Sequence, residues 1–117
     1  MNNFPASSEQ LGDCVLVDDD QLVRGTWKLM AKKVGKAAMV YASGEELLAN
    51  IESIKLETPI YIDFRLGNGT IQGAALAEKL YARGFRDLYF STGLEKDEVP
   101  MMGIIKGVTG KNPPWTL

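Results

Sequence analysis

The chain has 117 residues, 45% of them hydrophobic and 24% charged, with a formal net charge of -2, which makes room for one domain with a packed core and not for two. So small a net charge leaves no electrostatic footprint for nucleic acid or a membrane surface, and no apolar run reaches the roughly 18–20 residues of a transmembrane helix. The chain has no histidine, which excludes Ser-His and Cys-His nucleophile pairs and histidine metal sites and leaves carboxylates, hydroxyls and lysine to run any chemistry.

Residues 1–12 are polar, with Pro5, Ser7, Ser8 and Gly12, and read as a flexible leader ahead of a single domain over 13–117. They have neither the basic end nor the apolar stretch of a signal peptide. The apolar run Cys14-Val15-Leu16-Val17 then stops at Asp18-Asp19-Asp20, as expected of a strand covered on both faces. Cys14 is the single cysteine; it reads as a buried, reduced thiol in a reducing compartment, the cytoplasm. From Asp20 to Val34 the residues Leu22, Val23, Trp27, Met30 and Val34 recur at helical spacing, and Gly35 follows as a stop.

Ala38 to Tyr41 is a second strand, and Ser43 with Glu46 forms a capping box opening a helix to about Ser53. Pro59 to Ile62 is a third strand, ending at Asp63. A loop from Arg65 to Thr70 leads into a helix from about Ile71 to Arg83, closed by Gly84. Asp87 to Phe90 is a fourth strand, ending at Ser91-Thr92-Gly93, and Gly103-Ile104-Ile105 a short fifth, ending at Lys106. Strands alternating with helices predict an α/β fold, a parallel sheet with helices on both faces.

Each polar residue of interest follows a strand: Asp18 and Asp19 the first, Asp63 the third, Thr92 the fourth, Lys106 the fifth. Ligands bind outside the carboxyl ends of the strands in such sheets. Carboxylates crowded together stay ionised only if a cation compensates them, and Mg²⁺ suits an oxygen-only site that also takes a phosphate. A carboxylate nucleophile on a phosphoryl group gives an aspartyl phosphate, with Mg²⁺, Lys106 and the Thr92 hydroxyl neutralising its oxygens. Asp20 reads as a helix cap rather than a ligand.

The segments VLVDDD, YIDF, FSTG and IIKG together resemble the receiver domain of two-component response regulators, over about Asp13 to Lys106. The resemblance implies a flavodoxin-like five-stranded sheet of order 2-1-3-4-5. It makes Asp63 the phosphoacceptor, Thr92 (followed by the small Gly93) the switch hydroxyl and Lys106 the lysine. Asp19 and Asp63 become direct ligands of Mg²⁺, with Asp18 acting through water and the Arg65 carbonyl as a further ligand. The implied partner is a histidine kinase or a histidine phosphotransfer protein, and the implied output is protein–protein interaction. Catalysis beyond taking the phosphoryl group and hydrolysing its own aspartyl phosphate is not expected.

The sequence departs from the family pattern after Thr92. Gly107 follows Lys106 where the family has proline, and Gly103 stands where the family has its switch aromatic. Only 13 residues separate Thr92 from Lys106 and 11 follow it, so the fourth helix is stunted or absent and no closing helix forms. One face of the last two strands is thereby left for other cover. Met101, Met102, Ile104, Ile105, Val108 and Trp115 would meet a second chain, as in a homodimer, or else the tail folds back with Trp115 in place of the missing helix.

Two other classes of function compete with this one. A phosphorylation-independent receiver-like binding module fits the shortened face but not the complete acidic site. A dehalogenase-type phosphatase would carry a second acid two residues after its nucleophile, where this chain has Arg65.

Overall fold

In the computed structural model Val15, Leu16 and Val17 have no exposed surface, and with Cys14 they form β1 (Cys14–Val17). The residues described are 13–67, 69 and 71–115; the expected leader, Asn68 and Thr70 of the expected loop and the final two residues lie outside them. After β1 come α1 (Gln21–Lys33), β2 (Ala38–Tyr41), α2 (Gly44–Ala49), β3 (Ile60–Ile62), α3 (Gly73–Ala82), β4 (Leu88–Ser91) and β5 (Gly107–Thr109), with 3₁₀ turns at Ile51–Ser53 and Lys96–Glu98. All pairings are parallel, and the sheet order is β2-β1-β3-β4-β5. This is the expected flavodoxin-like order.

Because successive strand residues point to opposite faces, each central strand feeds two cores. Val15, Val17, Ile60, Ile62, Leu88 and Phe90 pack under α2 and α3 with Leu47, Leu76 and Leu80. Cys14, Leu16 and Tyr61 face the other way, onto Trp27 and Ala31 of α1. The helix ends carry their expected signals. Asp20 Oδ1 accepts from the Leu22 N–H at 2.9 Å, Gly35 follows α1 at φ 72°, and Ser43 Oγ accepts from the Glu46 N–H while Glu46 reaches back to the Ala42 N–H.

The fifth strand lies later than Gly103-Ile104-Ile105. Gly103 and Ile104 form a turn, and the chain joins the sheet only where the Lys106 N–H donates to the Leu88 carbonyl at 2.8 Å, which sets Gly107 opposite Tyr89. The Ile-Ile pair has the stronger apolar signal, but it packs against the core as part of the crossover. That crossover holds no α-helix, only the 3₁₀ turn, as its length requires.

Nor does a helix follow β5 among the described residues. The tail folds back, and Trp115 is 1% exposed in the core beneath α1, its ring edge-on to Trp27 at 6.1 Å. Burying an indole is worth on the order of 4 kcal/mol by area. The chain's own tail therefore covers this face. Met102, Ile104, Ile105 and Val108 also pack on the core, and of the segment expected to meet a second chain only Met101 stands free, 99% exposed.

Candidate functional site

The site begins with two ladder bonds. The Asp63 N–H donates to the Val17 carbonyl at 2.9 Å, and the Asp18 N–H donates to Tyr41 at 3.0 Å. The backbone thus continues in sheet register just past β1 and β3 and sets Asp18 beside Asp63. Both are buried, Asp18 completely and Asp63 to 6% exposure. Asp18 Oδ1 accepts from the Asp20 N–H at 2.9 Å, and the Arg24 guanidinium, one turn into α1, donates to the Asp18 carbonyl at 2.9 Å.

Asp19 turns toward the loop after β3, where its Oδ2 accepts from the Gly67 N–H at 3.1 Å. A Cβ at Gly67 would lie 2.6 Å from that oxygen, so a larger residue there would push the Asp19 carboxylate aside. Gln72 pins the loop, accepting from the Leu66 N–H through Oε1 and donating to the Leu66 carbonyl through Nε2. At Asp63 itself the Arg65 N–H donates to Oδ1 at 3.4 Å. Thr92, just past β4, is buried, and its Oγ1 accepts from the Leu94 N–H at 3.2 Å. The neighbouring Ser91 hydroxyl is committed elsewhere, donating to the Gly110 carbonyl at 2.8 Å.

The lysine in this group is Lys111. Its Nζ lies 2.6 Å from Asp18 Oδ2 and 3.2 Å from Asp63 Oδ2. Lys106, the lysine expected here, points away: it precedes β5 and pairs with Asp87 at 3.1 Å, at the amino-terminal end of the strands. The correction follows from the later position of β5, since the residue past its carboxyl end is Gly110 and then Lys111. The signal for it was present in Val108-Thr109, a β-branched pair closed by Gly110, with Lys111 followed closely by Pro113. Three residues before Lys111 stands Val108, so this register also lacks an aromatic.

Burial raises the pKa of Asp63, the charge of Asp18 adds to that, and Lys111 opposes both. For Lys111, burial works against the charge, but the hydrogen bond to Asp18 and the charge of Asp63 outweigh it and raise the ammonium's pKa. Lys111 is therefore the fixed positive charge of the site. One oxygen from each of Asp18, Asp19 and Asp63 lies within 4.8 Å of the others. Three carboxylates against one ammonium leave negative charge in excess, and an all-oxygen set of this kind fits a hard divalent cation such as Mg²⁺.

No family model matches the chain, and no curated protein matches it in sequence. Solved structures do match. A CheY-like response regulator receiver domain from Methylobacillus flagellatus superposes with a TM-score of 0.69 at 19% identity, over 90% of this chain and 88% of that one. The chain has the receiver fold. A receiver domain of the same kind from Methanospirillum hungatei gives a TM-score of 0.64 at 16% identity, over 91% of this chain and 85% of that one. The N-terminal domain of a response regulator/sensory box/GGDEF three-domain protein from Carboxydothermus hydrogenoformans gives 0.68 at 18%, over 85% and 81%. In this receiver fold the acids, Thr92 and Lys111 all lie just past the carboxyl ends of strands. No helix among the described residues is long and apolar enough to cross a membrane.

Proposed function

We propose that this chain is a cytoplasmic phosphoacceptor receiver of a two-component phosphorelay, taking a phosphoryl group on Asp63 from a partner histidine kinase or histidine phosphotransfer protein. One observation carries the reading: the Lys111 ammonium is shared between Asp18 and Asp63, so a nucleophilic carboxylate and a fixed cation already face one another. A carboxylate oxygen of Asp63 forms the new P–O bond as the donor's P–N bond breaks, the electron pair leaving on the donor imidazole. Lys111 is within reach of the incoming oxygens, and the Thr92 hydroxyl has its proton to donate to them.

Asp18, Asp19, Asp63 and the Arg65 carbonyl would hold Mg²⁺, which when bound supplies charge neutralisation for the phosphoryl oxygens. Output runs through protein–protein contact, and the exposed Met101 is what is left of the segment that would pair with a second copy. The second reading, a phosphorylation-independent binding module, draws support from Val108, an aliphatic residue that cannot swing as a reporter ring would. Acetyl phosphate with Mg²⁺ separates the two. One phosphoryl adduct, lost in Asp63→Asn, supports the relay; an unlabelled wild-type chain leaves the binding module.

A further inference from the structure

Lys111 makes contacts at both ends. Its ammonium holds Asp18 and Asp63, while its main-chain carbonyl accepts a hydrogen bond from the Trp27 indole N–H at 2.9 Å. Trp27 has no exposed surface; it meets Tyr61 edge-on at 5.2 Å and Trp115 at 6.1 Å. Between Lys111 and Trp115 the chain reads Asn112-Pro113-Pro114, and Pro113 is buried. Two consecutive prolines fix two φ angles, so this link is stiff. We infer that Trp27 is a positioning residue for Lys111, and that the strap Lys111–Trp115 carries the charge state of the acid site to the aromatic core beneath α1.

The ammonium and any ligand of the site compete for the same carboxylate oxygens. A divalent cation on Asp18 and Asp63 takes the oxygens the ammonium now holds, and a phosphoryl group on Asp63, which rests on the function proposed above, offers the ammonium new ones. In either event the side chain must re-pair while its carbonyl stays anchored to a buried indole. The displacement then falls on the Trp27–Lys111 hydrogen bond and on Trp115 behind it. This strap joins the acids to the aromatic core beneath α1, alongside the Arg24 bond to the Asp18 carbonyl. Of the chain's two tryptophans, Trp115 ends the strap and Trp27 is bonded to its start, so both report on it.

The test reads the indole N–H of Trp27 by NMR in two arms. In the first, with no ligand present, Lys111→Met removes the ammonium and keeps the stem. Hydrogen exchange of the Trp27 indole should quicken by up to about tenfold, the net worth of one hydrogen bond, with the Trp115 indole environment shifting alongside. Unchanged exchange in a folded Lys111→Met overturns the coupling. In the second arm, Mg²⁺ and beryllofluoride are added to the wild type, with the adduct followed by its own fluorine signal. The Trp27 resonance should move in proportion to adduct formed, and an adduct with an unmoved indole overturns the inference. Failure to form the adduct counts against the phosphoacceptor reading and leaves the ligand-free arm to decide the coupling.

Discussion

Gly73 presses against the backbone carbonyl of Asp63 so closely that a Cβ there would overlap it and the adjoining Phe64 backbone. The start of α3 is thus seated on the Asp63 peptide, with the Gly73 N–H donating to the Phe64 carbonyl at 3.3 Å. Gly73→Ala should cost about 1–3 kcal/mol, as forced overpacking does. Gly25, exposed in the middle of α1 with nothing within 4 Å of a Cβ, should gain about 0.5–1 kcal/mol as alanine. Urea denaturation of the two variants checks the pair, and equal effects would mean that α3 can shift off the Asp63 peptide.

The two lysines divide cleanly. Lys111→Ala should slow acetyl-phosphate labelling of Asp63 by about a hundredfold, the usual loss when a charge-stabilising donor is removed. Lys106→Ala removes a pair with Asp87 that is 60% exposed on the lysine side and should leave labelling unchanged. Comparable losses from both would restore Lys106 to the site.

Asp19 and Asp20 are neighbours with different work. Asp20→Ala removes the cap on Leu22 and should cost about 1 kcal/mol of stability while Mg²⁺ affinity holds. Asp19→Ala should do the reverse, weakening Mg²⁺ binding severely with little change in the denaturation midpoint. Calorimetric titration beside a melt reads both, and a metal loss in Asp20→Ala would shift the acid pair by one residue.

Alkali should unfold the protein from the face beneath α1. Burial, with the charge of Asp13 behind it, pushes the Cys14 thiol from 9.0 up to about 12. Burial and then the hydrogen bond to Asp87 push the Tyr89 hydroxyl from 10.0 up to about 12. Both folded values lie above the unfolded ones, so the unfolded chain gives up protons first as pH rises. Stability is therefore intact below about pH 9 and falls from there toward pH 12. Cys14→Ala should flatten the onset of that fall, and a thiol reagent should leave Cys14 untouched until the protein unfolds. A midpoint that rises above pH 9 would contradict the sign.

The strand order came only with the family resemblance, whereas helix caps and four of the five strands follow from patterns a single sequence carries, because burial on both faces and capping chemistry act over a few residues. The acids and Thr92 were legible for the same reason: each directly follows its strand. Lys111 was signalled only weakly, since its position depends on where β5 enters the sheet, and that is set by a long-range bond from Lys106 to Leu88 rather than by local hydrophobicity. Ile104-Ile105 outweighs Val108-Thr109 as a strand signal, yet the isoleucines are spent on the crossover. Trp115 likewise has no local reason to be buried; its place exists only because no helix fills it.

The contact that completes the acid site joins residues 93 positions apart, Lys111 to Asp18, and the indole bond behind it spans 84. Contacts of such separation close late in folding, after the chain entropy of the intervening loop has been lost. Helices and the first strand pairs can form while Asp18 and Asp63 still lack their counter-charge. A chain folded short of this contact has the Asp63 carboxylate but not the ammonium beside it, so the site is assembled only once the tail has docked.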